Sequence, residues 1–170
     1  MSDTPNLHPG VATLLEALLH ADVDLVSTLP DTWLINLIAA VDADDRFEHV
    51  PVTREESAVA FCSGAFVAGR QSAAVMGTSG FMASIYAITK IGYTYGIGFP
   101  ILMNLRGSVG DSASHHIANG MYTKPIFEAM DLPYSVIDSV EQIDRVPDLV
   151  QHARLMKRPV AVCFGKDVLM

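Results

Sequence analysis

Hydrophobic positions along this chain change period again and again. In residues 9–22 (PGVATLLEALLHAD) they recur at helical spacing, and in 24–29 (DLVSTL) they close up into a short buried strand. The helical pattern returns over 31–43 (DTWLINLIAAVDA), with Asp31 placed to cap its N-terminus. A strand follows at 49–53 (HVPVT), then a helix of small residues at 56–69 and a strand at 72–77 (SAAVMG). The spacing next predicts a helix over 79–96, with Gly80 in its first turn, and a strongly apolar strand at 99–105 (FPILMNL). A loop rich in Gly, Ser and Asp runs from Arg106 to about Ser114. Helix 116–130, strand 134–138 (YSVID), helix 140–156 and strand 159–164 (PVAVCF) complete the chain.

Strands alternating with helices of this length mean an α/β domain, three-layered and doubly wound, with a mainly parallel sheet of about six strands. Near-continuous apolar strands such as ILMNL and VAVCF predict burial on both faces of that sheet. The 170 residues suit one domain, 1–170, with no internal repeat, low-complexity run or linker. In a parallel sheet the ligand crevice lies beyond the carboxyl ends of the strands. Pro30 and Asp31, Glu55, Thr78-Ser79-Gly80, Arg106-Gly107 and the 108–116 loop all follow predicted strand ends. They are expected to share one edge of the domain, with strand order and mutual distances left open.

Composition narrows the function classes. A net charge of -8 and the lack of any Lys/Arg cluster argue against nucleic acid and anionic membrane surfaces, although an acidic chain can still bind an anion locally. Half the residues are hydrophobic and only 18% are charged, which leans toward an oligomer or obligate subunit over a merely well-filled core. Cys62 and Cys163 sit in apolar runs without metal-like spacing, so both read as reduced core residues of a cytoplasmic protein. The first residues, MSDTPNLHPG, lack the pattern of a signal peptide, and no apolar run is long enough for a transmembrane helix. Neither a GxGxxG after the first strand nor a Walker-type GxxxxGK[ST] is present, so dinucleotide and P-loop readings fall.

Several residues could carry chemistry. In TREESAVAFCSGAFVAGR, residues 53–70, Glu55 stands where a strand gives way to an apolar helix. A carboxylic acid at such a boundary can be desolvated and share a proton with a ligand nitrogen. The plain alternative is that Glu55 and Glu56 simply favour the helix dipole. His115 and His116 are adjacent in a polar loop, where they are either surface residues or proton carriers; their side chains diverge, so at most one faces a given atom. Arg106 offers a planar fork for an anionic group or a salt bridge to Asp111, with Arg54 as the other candidate. Ser79 and Gly80 could donate a hydroxyl and a backbone N–H near a helix N-terminus, or Ser79 could cap that helix. Trp33, Tyr93 and Tyr95 read as packing or interface residues.

The 53–70 segment resembles the stretch that carries the cofactor-activating glutamate in the pyrimidine-binding domain of thiamine-diphosphate enzymes. The run Glu55-Glu56-Ser57-Ala58, continuing to Gly64-Ala65 and Gly69-Arg70, matches that pattern, and counting back from Gly64 favours Glu55 over Glu56. LPDTW at 29–33, GTSGFMASIYAI at 77–88, LRGSVGD at 105–111 and TKPIFEAMDLPY at 123–134 are similar, in order and spacing, to segments of two-subunit sulfopyruvate and phosphonopyruvate decarboxylases. The resemblance covers residues 10 to 165. The His115-His116 pair is similar to that of pyruvate-decarboxylase-like enzymes, which also carry an aspartate in the first loop; the two-subunit relatives are less uniformly histidine-paired there.

The resemblance implies a subunit of a 2-oxo acid decarboxylase, with Glu55 on the aminopyrimidine and Pro30, Thr78 and Ser79 beside the cofactor. It implies that Asp31 and one of His115 and His116 handle protons, while Arg106, Ser79, Gly80 and His115 meet a small anionic 2-oxo acid. The Gly-Asp-Gly…Asn-Asn pattern that holds diphosphate and magnesium in the family is missing. The resemblance therefore implies a separate diphosphate-binding β subunit holding diphosphate and Mg2+, and an active site between subunits. Sulfopyruvate is the expected substrate and phosphonopyruvate the close alternative. A carboligating relative and a non-catalytic flavodoxin-type binding domain are the other two readings.

Overall fold

The computed structural model describes residues 7–109 and 111–170; the N-terminal stretch read as no signal peptide lies, for residues 1–6, outside the described residues. Six strands form one parallel sheet: β1 (Leu25–Thr28), β2 (Glu48–Pro51), β3 (Ser72–Met76), β4 (Pro100–Asn104), β5 (Tyr134–Ile137) and β6 (Val160–Phe164), in the order β2-β1-β3-β4-β6-β5. The helices are α1 (Pro9–His20), α2 (Ile35–Ala43), α3 (Glu55–Val67), α4 (Thr78–Ala83), α5 (Ile85–Ala87), α6 (Ile117–Ala129) and α7 (Val146–Met156). The expected three-layer α/β architecture is what the chain adopts. No helix among the described residues is long and apolar enough to cross a membrane.

Strand period and helix placement explain the layers. Successive strand side chains point to opposite faces. Ala73, Val75, Leu102, Val162 and Phe164 therefore pack under α1, α2 and α7, while Ala74, Met76, Ile101, Met103, Ala161 and Cys163 pack under α3, α4, α5 and α6. Every residue of β1, β3, β4 and β6 is buried, which is why segments such as ILMNL and VAVCF read as near-continuous apolar runs, and the polar Ser27, Thr28, Ser72 and Asn104 are buried with them. β2 is an edge strand, exposed at both ends and closed by Pro51, which has no N–H to leave unpaired there.

Three elements depart from the pattern, each for a local reason. The helix expected over 31–43 starts only at Ile35, because the Asp31 carboxylate accepts from the Trp33 N–H at 2.8 Å in a turn; Asp31 is not the helix cap. The helix expected over 79–96 breaks at the buried Ser84, whose hydroxyl donates to the Gly80 carbonyl at 2.9 Å, and continues as a π-helical turn, Ile88–Tyr93. The helix expected over 140–156 opens as a 3-10 segment, Val140–Arg145, and becomes α-helical where Pro147 occupies its first turn.

Candidate active site

Four neighbouring strands, β2, β1, β3 and β4, deliver their carboxyl ends to one edge of the sheet. The chain reverses direction across the sheet between β1 and β3, the position where α/β sheets open a ligand crevice. Asp31 follows β1, Glu55 opens the helix after β2, Thr78 to Gly80 follow β3, and Arg106 follows β4. The shared edge expected from the pattern is thus what the topology produces.

A buried polar network ties the β1, β3 and β4 ends together. Asn104, the last residue of β4, donates to Asp31 Oδ1 at 2.6 Å and accepts from the Thr78 N–H at 3.1 Å. The Thr78 hydroxyl lies 2.7 Å from the Asn104 carbonyl and accepts from the Arg106 N–H at 3.1 Å. The Asp31 carboxylate rests against Gly77, where a Cβ would collide with Oδ2. Arg106 is 8% exposed, and its guanidinium stacks over the Trp33 ring at 4.2 Å. Its Nη2 donates to the Thr32 hydroxyl and lies 3.3 Å from Asp31 Oδ1. The ion pair weighed in the sequence, Arg106 with Asp111, is not formed; Arg106 pairs instead with Asp31, since both follow strand ends on the same edge of the sheet, while the Asp111 carboxylate is taken by Gly107, Ala113 and His116. Trp33 is a packing residue, as expected. Thr78, expected beside a cofactor, is fully buried, so it acts on the site through Asn104 and Arg106.

Glu55 and Glu56 have separate fates. Glu56 pairs with Arg54 at 3.0 Å on the outside, and that hydrogen bond holds its carboxyl below the usual value. Glu55 is half-buried at the first turn of α3, with its side chain lying over Gly80. A Cβ on residue 80 would overlap the Glu55 Cγ and carboxylate, so the missing side chain at Gly80 is what gives Glu55 its place. The fit of Glu55 over Gly80 is a contact that one sequence cannot display.

The third component comes from the loop after β4. Gly107, at φ 75°, packs its backbone against Gly120 and the His116 carbonyl so closely that neither glycine could carry a Cβ. This contact draws α6 against the β4 end. His116 Nδ1 lies 2.8 Å from Asp111 Oδ2, while the exposed His115 sets its ring edge-on to His116 at 4.1 Å between centroids. The Asp111 carboxylate also accepts from the Gly107 N–H at 3.0 Å and the Ala113 N–H at 3.1 Å. The Gly107 N–H above all, with Ala113 and His116, brings its pKa down to about 2. One turn into α6, the Asn119 amide donates to the Ser79 hydroxyl at 3.0 Å, leaving Ser79 exposed with its oxygen oriented. Ser79 does not cap α4, whose N-cap is Gly77.

Asn104, Asn119 and the partnership of Asp111 with His116 are the parts that sequence reasoning missed. The available signal was an asparagine closing an apolar strand, and another one turn beyond a histidine pair. Neither cysteine competes as a nucleophile: burial pushes the thiols of Cys62 and Cys163 up to about 12. The arrangement combines a carboxylate against a glycine, a second carboxylate in a buried network, a histidine with a carboxylate behind it and an oriented hydroxyl. That set can bind a polar heterocycle and move protons. Among the described residues no three His, Cys, Asp or Glu side chains converge to hold a metal ion.

Residues 9–124, which run from α1 into α6 and include every site residue from Asp31 to Gly120, match the family described as thiamine pyrophosphate enzyme, N-terminal TPP binding domain. The chain belongs to that family. It is 32% identical over 86% of its length to the sulfopyruvate decarboxylase subunit alpha of Methanococcus maripaludis, of which it covers 89%. It is 28% identical over 73% of its length to the subunit of the same name from Methanocaldococcus jannaschii, covering 73% of it. It is also 27% identical over 86% of its length to a sulfopyruvate decarboxylase of Methanosarcina acetivorans, but covers only 37% of that longer protein. Family membership retires the flavodoxin-type alternative, and β6 standing between β4 and β5 departs from the plain flavodoxin strand order.

The residues present fit the pyrimidine half of the family cofactor. Glu55 stands half-buried with a glycine cradle beneath it, which suits a flat heterocycle that needs one carboxyl partner.

Proposed function

We propose that this chain is the pyrimidine-binding α subunit of a thiamine-diphosphate-dependent 2-oxo acid decarboxylase that converts sulfopyruvate and a proton into sulfoacetaldehyde and carbon dioxide. The observation that carries the reading is Glu55 seated on Gly80 at the switch-point edge of a thiamine pyrophosphate enzyme domain. The names of the relatives support the substrate. The whole of 1–170 is read as the pyrimidine-binding domain. A β subunit of separate chain would hold the diphosphate and Mg2+, which agrees with the alignment to about a third of a longer relative. The buried free cysteines suit action in the cytoplasm.

Bound thiamine diphosphate supplies the carbon nucleophile and electron sink that loss of carbon dioxide requires. Glu55 would hold the aminopyrimidine through its ring nitrogen, sharing a proton with it. Pro30 shapes the β1 loop, and Thr78 keeps Asn104 and Arg106 in register behind it. The reaction replaces a carboxylate by a proton, and on this reading Asp31 and one of His115 and His116 handle its delivery. Ser79 and the Gly80 N–H bind the 2-oxo acid. Among the described residues the hydrogen bonds of Arg106 run through Nη2 and its backbone N–H, and on this reading Nη1 and Nε engage the terminal anion.

The test is to produce the chain together with the β subunit encoded beside it and measure carbon dioxide release from sulfopyruvate and phosphonopyruvate, with and without thiamine diphosphate and magnesium. Cofactor-dependent release from sulfopyruvate is expected. Release from phosphonopyruvate alone would move the substrate to the alternative, and coupled carbon–carbon products would move the reaction to carboligation.

A further inference from the structure

The histidine pair is asymmetric. His115 is exposed, and among the described residues it makes no hydrogen bond or ion pair, only the ring contact with its neighbour. The His116 side chain is 16% exposed and meets Asp111, whose side chain is 4% exposed, at 2.8 Å through Nδ1. Asp111 is not a chance surface partner. Its Oδ2 is also held by the Gly107 N–H and its Oδ1 by the Ala113 N–H, so the loop is folded around this carboxylate. Gly107 in turn is locked onto Gly120 of α6, so Asp111, His116 and the first turns of α6 form one unit. That unit also presents Asn119, whose amide orients Ser79. The held member of the pair is therefore His116, in the same unit as Asn119, and the exposed member is His115.

We propose that Asp111 is a positioning residue that makes His116, and not His115, the proton-transfer histidine of this site. This rests on the decarboxylase reading above. A carboxylate at Nδ1 requires the proton on Nδ1, which leaves Nε2 as the nitrogen that exchanges a proton with substrate. The side chains that meet His116 are Asp111, at its Nδ1, and His115, at its ring face. Asp111 keeps its charge throughout the working range, because the two backbone N–H groups and His116 stabilise the anion.

The proposal has two independent tests. In the full-length chain labelled with 15N-histidine, at a pH where the imidazoles are neutral, His116 should show a single tautomer with the proton on Nδ1, and His115 a fast-exchanging mixture. Asp111→Asn should disturb the His116 tautomer and leave the His115 signals alone. A wild-type His116 protonated on Nε2, or a mixture of tautomers, overturns the proposal without touching the decarboxylase reading. In the assembled enzyme, His116→Gln should lower kcat by about 10²–10⁴-fold with KM little changed, and His115→Gln by less than about tenfold. Asp111→Asn should follow His116→Gln, and Asp111→Glu should restore part of the rate. A larger loss in His115→Gln than in His116→Gln overturns the assignment, whereas no turnover in the wild type would count against the function and not against the tautomer.

Discussion

Substituting alanine at Gly80 isolates the placement of Glu55 from its chemistry. A Cβ there would lie 2.7 Å from the Glu55 Cδ, and closer still to its Cγ and Oε1. Carbon atoms in contact sit at about 3.5–4.0 Å, so the carboxylate must retreat by about 1 Å. Glu55 is half-buried with a flexible stem, so it can move without dragging the backbone. The packing cost of about 1–3 kcal/mol is then partly offset by the gain of about 1 kcal/mol from replacing glycine within a helix. Stability should therefore fall by no more than about 2 kcal/mol. Activity should respond very differently, because a displacement of about 1 Å at a positioned group costs on the order of 10²-fold in rate. The assay is a urea unfolding curve for the chain, set beside cofactor-dependent carbon dioxide release by the assembled enzyme. Full activity in Gly80→Ala would refute the claim that the glycine exists to seat Glu55.

Other outcomes follow from the same geometry. Arg106→Ala strips the buried partner from Asp31 and should cost about 3 kcal/mol in urea unfolding; Arg106→Lys should recover only part, since an ammonium cannot both stack on Trp33 and reach Thr32 and Asp31. The folded pKa of Asp111 lies below its unfolded value, so the unfolded chain binds more protons at acid pH. Its contribution to stability is complete above about pH 4 and vanishes as pH falls through about 2, so Asp111→Asn should flatten the acid limb of a Tm-against-pH curve. A thiol reagent at pH 8 should label neither Cys62 nor Cys163 in the native chain and both in urea; rapid native labelling would contradict their burial.

The sequence displays what periodicity and strand ends control. The near-continuous apolar runs ILMNL and VAVCF predict strands buried on both faces, and each is one. The residues after the strand ends were grouped correctly because a parallel sheet sends those ends to one edge. What stayed hidden depends on which side chains meet across the fold. Asp31 looked like a helix cap because its turn was invisible, and its true partners, Asn104 and Arg106, lie more than seventy positions away. Closeness in sequence suggests Asp111 as the partner of Arg106, yet the pairing is with Asp31, across the carboxyl ends of β1, β3 and β4. The break at Ser84 came from a hydroxyl taking a backbone carbonyl, a choice that helical spacing does not encode. The difference between His115 and His116 likewise appears only once the loop is wrapped around Asp111.

The central claim is that Glu55 activates a bound thiamine diphosphate for decarboxylation. Its most direct test is carbon dioxide release from sulfopyruvate by the assembled enzyme carrying Glu55→Gln, with circular dichroism of the same sample. The account predicts a native spectrum with turnover reduced by at least about 10²-fold. Wild-type turnover from a natively folded Glu55→Gln enzyme would contradict it.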